Sequence, residues 1–154
     1  MIKRKVLLVD DEVVFTKNMS KLLTDREYRV TAVNSGDAAI SALEQEDFDV
    51  VVLDLKMPGM DGITTLREIK KLGLFTETLI LTGHGSIDTA LEAVKIGAYD
   101  YLTKPCEVDE LIEKIDGAQI KKDSTEQQDL EGKIKRVVES PSAAFDLFDK
   151  KKKK

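Results

Sequence analysis

The chain has no tryptophan, a single cysteine, a single histidine and only 5% aromatic residues in its 154 positions. Cys106 alone cannot close an internal disulfide or build a multi-cysteine zinc site. With His84 as the sole histidine, His-rich metal sites are excluded and a Ser-His-Asp or Cys-His triad has poor material. No apolar run approaches the roughly 18 residues that a membrane span needs. The basic start Lys3-Arg4-Lys5 is followed by an apolar stretch of only Val6 to Val9, too short for the core of a signal peptide. A reducing, cytoplasmic location is therefore the expectation. The net charge of −5 argues against a nucleic-acid surface covering the domain, and no direct sequence-specific DNA binding is expected.

What is present suits one folded domain. Apolar residues make up 42% of the chain, enough for a single core at this length. The charge is uneven: residues 119–154 carry 10 Lys or Arg against 7 Asp or Glu, which leaves 14 against 22 in residues 1–118. Those first 118 residues alternate short aliphatic runs with amphipathic stretches. Val6–Val9, Arg29–Val33, Asp49–Leu53, Thr78–Leu81 and Ala98–Leu102 read as strands. Helical spacing follows each: Phe15, Met19, Leu22 and Leu23; Ala38, Ala39, Ala42 and Leu43 behind an Asn34 or Ser35 cap; Ile63, Leu66, Ile69 and Leu72; Ser86 to Val94; and Val108, Leu111, Ile112 and Ile115 within 107–120. Central strands that are apolar on both faces need helices on both sides. The expected fold is therefore α/β, a doubly wound five-stranded parallel sheet of (βα)5 flavodoxin-like type with strand order 2-1-3-4-5. Residues 1–120 form the domain; 121–154 read as a charged extension, weakly helical to about 139 and then a frayed, lysine-rich tail.

In such a sheet the working loops lie past the C-terminal strand ends. Asp10, Asp11 and Glu12 follow the first strand, Asp54 the third, Thr82 the fourth, and Lys104 with Pro105 the fifth. Carboxylates crowded on one rim repel one another and raise each other's pKa. A hard divalent cation resolves that crowding, and Mg²⁺ needs only one or two carboxylates while leaving positions for phosphoryl oxygens. A carboxylate can attack a phosphoryl donor, and an ammonium and a hydroxyl can then take up the new oxygens. Alone, Asp10-Asp11-Glu12 equally suits capping of the following helix; with Asp54, Thr82 and Lys104 in step, the shared site is the stronger reading.

Five motifs in order carry a family resemblance across residues 4 to about 120: Val9-Asp10-Asp11-Glu12, Leu53-Asp54-Leu55-Lys56-Met57-Pro58-Gly59-Met60-Asp61-Gly62, Leu81-Thr82-Gly83, Gly97-Ala98-Tyr99-Asp100-Tyr101-Leu102 and Thr103-Lys104-Pro105. The sequence resembles the receiver domain of two-component response regulators, in the flavour found on NtrC-like regulators, here without a recognisable output domain. The resemblance implies Asp54 as phosphoacceptor, Asp11 as a direct Mg²⁺ ligand and Asp10 as a ligand through water. It implies the Lys56 backbone carbonyl as a further ligand, Lys104 as the partner of the phosphoryl group, Thr82 and Tyr101 as the moving switch pair, and a cis Lys104–Pro105 bond. The Lys56 and His84 side chains fall where the family tunes phosphate lifetime; exposed loop residues without a role are the equal alternative. Val13 or Val14 is expected to be exposed beside the acidic rim, as a docking patch for the donor's helices, with simple burial as the other reading.

The implied function is a phosphorylation switch: a histidine kinase or phosphotransfer protein donates to Asp54, and the face made by the fourth helix, fifth strand and fifth helix then binds an output protein of unknown identity. Such a domain is not an enzyme; it assists its own phosphorylation and dephosphorylation. A phosphorelay intermediate, the severed receiver of a transcription factor, and a partner-binding module that works without phosphorylation stay open beside it. An aspartyl-nucleophile phosphatase is disfavoured because Lys56 stands two residues past Asp54 and no cap insertion exists. A flavin-type binder is disfavoured because Asp10-Asp11-Glu12 would repel a phosphate.

Overall fold

The computed structural model describes residues 3–83, 87–140 and 142. Ten elements alternate: β1 (Lys5–Val9), α1 (Val13–Asp25), β2 (Arg29–Val33), α2 (Gly36–Gln45), β3 (Val50–Leu53), α3 (Gly62–Lys71), β4 (Glu77–Thr82), α4 (Ile87–Ile96), β5 (Asp100–Thr103) and α5 (Val108–Glu139). The strands form one parallel sheet in the order β2-β1-β3-β4-β5, as the alternation of aliphatic runs and amphipathic stretches requires.

Side-chain alternation divides the core in two. Leu7, Val9, Val51, Leu53 and Ile80 face α2, α3 and α4, where Ala39, Leu43, Leu66, Ile69, Ala90 and Ala93 are buried against them. Val6, Leu8, Val50, Val52, Leu79 and Leu81 face α1 and α5, meeting Met19, Leu23, Leu111, Ile115 and Ala118. Each central strand thus supplies both layers, which is why it reads as unbroken aliphatic sequence.

Local signals account for most boundaries. Ser35 caps α2 by accepting the Ala38 N–H at 3.1 Å, and Asp61 caps α3 by accepting the Thr64 N–H at 2.8 Å. Gly97 ends α4 at φ 128°, a conformation that L side chains rarely adopt. Three details depart from the sequence reading. Leu22 is 45% exposed, because the buried stripe of α1 runs Thr16, Met19, Leu23. β5 begins at Asp100, two residues later than the aliphatic run suggests. Most of all, the fifth helix and the weakly helical stretch that ends near 139 are one unbroken helix, Val108–Glu139, about 48 Å at 1.5 Å per residue.

Ion pairs seat the first half of that helix. Asp116 receives both Arg4 and the Tyr28 hydroxyl, Lys114 bonds Asp100 at 2.5 Å, and Lys122 bonds Asp49 at 2.9 Å. Burial and the bond to Asp116 push the Tyr28 hydroxyl pKa up to about 12, so it remains a donor at any physiological pH. Beyond Lys122 the helix carries i,i+4 pairs, Lys122 with Glu126, Asp129 with Lys133 and Lys135 with Glu139, which support a solvated helix without burying it.

The tightest backbone approach lies at the start of α3. A Cβ on Gly62 would fall 2.3 Å from Leu55 Cα and 2.6 Å from the Asp54 carbonyl oxygen. Gly62→Ala is expected to cost about 1–3 kcal/mol through that clash, lowering Tm by about 2–4 °C per kcal/mol. Gly132→Ala, whose Cβ meets nothing within 4 Å on an exposed helix, is expected to raise stability slightly. Paired thermal melts check both, and an undamaged Gly62→Ala would show that the loop can move aside.

Candidate functional site

Strand register builds the site. Val9 pairs with Leu53, so Asp10 and Asp54 leave adjacent strands side by side, locked by the Asp54 N–H donating to the Val9 carbonyl at 2.9 Å. Thr82 pairs with Thr103, and the Lys104 N–H donates to the Thr82 carbonyl at 2.7 Å. Asp10, Asp54 and Thr82 are 1%, 4% and 0% exposed, so two buried carboxylates share one rim. The Lys104–Pro105 peptide is cis, as the resemblance implied.

The Lys104 ammonium answers this negative charge. Its Nζ donates to Asp10 Oδ2 at 2.5 Å and to Glu12 Oε1 at 3.1 Å. Burial alone would lower the lysine's pKa, but the bonds to Asp10 and Glu12 outweigh it and hold the pKa above the usual range. Asp10 Oδ1 accepts the Glu12 N–H at 2.9 Å, turning the chain tightly at the end of β1. Glu12 stands at the N-cap of α1 without capping it, leaving its carboxylate for Lys104. Asn34 fixes the same corner from β2's end, its amide donating to the Asp10 carbonyl at 2.8 Å.

Asp54 is the perturbed group. Burial, followed by the nearby charges of Asp10 and Asp11, pushes its carboxyl up to about 6, against the Lys56 N–H donating to Oδ1 at 3.2 Å and the charge of Lys104. Its Coulombic partners name the site: Asp10, Asp11 and Lys104. Among the described residues, the carboxylates with oxygens within 4.8 Å of one another are Asp10, Glu12 and Asp54. This all-oxygen, anionic set fits a hard divalent cation such as Mg²⁺. Asp11 is half-buried and close enough to raise Asp54, although its oxygens are not in that group.

The other residues singled out in the sequence fall as follows. Thr82 Oγ1 is buried and meets no hydrogen-bond partner among the described residues. Tyr101 is half-buried on β5, opposite Ile80 and packed on the α2–α4 side of the core. Lys56 is exposed, while His84 lies outside the described residues. Val13 and Val14 are both exposed, at 62% and 74%, beside the acidic rim. Cys106 is half-buried, and burial followed by Glu110 and Glu107 raises its thiol pKa, leaving it a poor nucleophile. Glu12 and Asn34 belong to the site's hydrogen-bond framework although neither was singled out for it; the run of three acidic residues was the available signal for Glu12.

Comparisons with known proteins agree with this geometry. The family model for the response regulator receiver domain matches residues 6–116. Over 106 residues the chain is 42% identical to the transcriptional regulatory protein ZraR of Escherichia coli, covering 69% of this chain and 24% of ZraR. Over 133 residues it is 33% identical to the alginate biosynthesis transcriptional regulatory protein AlgB of Pseudomonas putida, covering 86% of this chain and 30% of AlgB. A receiver domain structure from Clostridium thermocellum superposes with a TM-score of 0.74 at 36% identity, over 79% of this chain and 98% of that one. NtrX from Brucella abortus superposes at 0.78 with 30% identity, over 83% of this chain and 30% of that one. The chain belongs to the response regulator receiver domain family. It is thus a phosphoacceptor signalling module, with homologues of the NtrC family among its relatives. It spans about a quarter of the length of ZraR. Among the described residues, no helix is long and apolar enough to cross a membrane.

The raised Asp54 pKa has a stability consequence with a definite sign. Between the unfolded value near 3.8 and the folded value of about 6, the folded state holds a proton that the unfolded state has lost. Asp54's favourable contribution is complete below pH 3.8 and lost as pH rises through 6. In metal-free buffer, Asp54→Asn is therefore expected to be more stable than wild type at pH 8, by about 3 kcal/mol, with the gain gone at pH 3.5. Denaturant titrations at the two pH values measure this; a gain independent of pH would refute the burial argument.

Proposed function

We propose that this chain is a phosphorylation-activated switch that accepts a phosphoryl group on Asp54 from a histidine kinase or phosphotransfer protein. The observation carrying this reading is the single buried cluster in which Asp54, raised to about 6, stands beside Asp10 and within the field of Lys104. Residues 1–120 are read as the switch and 121–154 as its extension, supported by a family match that ends at 116.

In this reading Asp11, Asp54 and the Lys56 backbone carbonyl would hold Mg²⁺, with Asp10 as a ligand through water. Glu12 is a further oxygen within reach. The bound ion supplies positive charge against the carboxylates and the transferring phosphoryl oxygens. A carboxylate oxygen of Asp54 attacks phosphorus, forming an O–P bond as the donor's P–N bond breaks. The donor's imidazole nitrogen keeps that electron pair. Lys104 exchanges a carboxylate partner for a phosphoryl oxygen, a charge-assisted bond. Thr82, whose buried hydroxyl meets no partner among the described residues, supplies a second donor. Near pH 7 most of Asp54 is ionised and therefore nucleophilic, because its pKa sits at about 6.

The added charge, about −1.5 to −2, biases the packing of Thr82 and Tyr101. The face formed by α4, β5 and α5 then binds the output partner. Exposed Ile87 and Leu91 on α4, at 52% and 47%, suit such an apolar contact. The exposed Val13 and Val14 beside the acidic rim likewise suit docking of the donor's helices.

Intact mass after incubation with acetyl phosphate tests the reading. Wild type is expected to gain one phosphoryl group when Mg²⁺ is present, and EDTA or Asp54→Asn should abolish the gain. Metal-independent uptake, or uptake that survives Asp54→Asn, would overturn the assignment. Thr82→Ala is expected to keep uptake while losing the spectral change on α4 and β5 that follows it.

A further inference from the structure

Lys104 has a third neighbour that the phosphoacceptor chemistry leaves unexplained. Phe15, half-buried in the first turn of α1, places its ring with the Lys104 Nζ 4.3 Å from the centroid. Asp10 and Glu12 hold the same ammonium by hydrogen bonds, and the lysine side chain is only 15% exposed. The ammonium therefore sits in a seat with two carboxylates and one aromatic face.

We infer that Phe15 is a positioning residue for Lys104, keeping the ammonium within reach of Asp54 while its hydrogen-bond partner changes. The inference rests on the phosphoacceptor reading above. Lysine is a point charge on a flexible four-carbon stem, and its rotamer freedom opposes any fixed placement. Hydrogen bonds to Asp10 and Glu12 weaken steeply once angle or distance changes, so they cannot guide the ammonium toward new oxygens on Asp54. Attraction to a ring face is less directional and acts out to about 6 Å from the centroid. From 4.3 Å, a shift of about 1 Å leaves the ammonium inside that range. The ring holds the charge in both arrangements, whereas the bond to exposed Glu12 can be given up to solvent.

Phe15 also packs against the core beneath α1, so leucine is the informative replacement: it keeps apolar volume and removes the π face. Four proteins form the test: wild type, Phe15→Leu, Lys104→Met and the double variant. Each is timed for phosphoryl uptake from acetyl phosphate at saturating Mg²⁺. Phe15→Leu is expected to slow uptake about three- to tenfold, because without the ring the ammonium is within reach of Asp54 for a smaller fraction of the time. Phe15→Tyr should recover to within about twofold, because its ring keeps the quadrupole. Phe15→Leu should add nothing in the Lys104→Met background, since a residue acting through Lys104 has nothing left to position.

Proton NMR supplies a readout independent of uptake. The Lys104 ε-protons should be shifted upfield by the ring in wild type and return to ordinary lysine values in Phe15→Leu. Equal slowing by Phe15→Leu in both backgrounds would overturn the inference while leaving the phosphoacceptor reading intact. Should Lys104→Met be too slow to time, the ε-proton shift decides: an unshifted resonance in wild type overturns the seat. Wild type that takes no phosphoryl group under any condition overturns both the reading and the inference built on it.

Discussion

Everything at this site follows from two acidic residues forced together by parallel pairing. Val9 and Leu53 are register partners in the middle of the sheet, and the residues after them are Asp10 and Asp54. The backbone bond from Asp54 to Val9 keeps the two strand ends in step. Both carboxylates are almost wholly removed from solvent. Like charges so placed are tolerated only with a counter-charge, a shared proton or a cation. The fold uses the first through Lys104 and shows the cost of incomplete compensation in the raised pKa of Asp54. A site held in this uneasy balance responds strongly to any added charge, because low-dielectric surroundings leave the change unscreened.

The sheet was legible in the sequence because its central strands are buried on both faces, and Val6–Val9 and Val50–Leu53 have no polar residue to confuse their reading. Strand ends were legible for the same reason: an acidic residue after an aliphatic run marks where the chain leaves the core. Less legible was which carboxylate meets Lys104. That depends on the turn in which Glu12 donates its N–H to Asp10 and brings its own side chain back, a geometry with no periodic signature. Leu22 was misplaced by its neighbour Leu23: two adjacent leucines on a helix point about 100° apart, and only one of them reaches the core.

That the weakly helical stretch to about 139 continues the fifth helix without a break was less legible, for a different reason. Hydrophobic periodicity detects a helix by the face it buries, and that signal thins after Gln119, with Ile120, Leu130 and Ile134 all more than half exposed. What continues the helix is local: pairs such as Lys122–Glu126 and Asp129–Lys133, and no proline between Pro105 and Pro141. These contacts are individually worth a few tenths of a kcal/mol and leave little trace in the apolar pattern.

That helix can be considered as a lever. Its root is clamped by Lys114, Asp116 and Lys122 to three different parts of the domain, the first of them Asp100 on β5. From Lys122 to Glu139 the rod extends about 26 Å. A tilt of about 10° at the clamp would carry the far end through about 4.5 Å, comparable to the rise of three helical residues. A shift of about 2 Å at Lys114, about 12 Å behind a pivot at Lys122, produces that tilt and is about doubled at residue 139. The length of the arm, set by charge pairs rather than by the core, determines that gain.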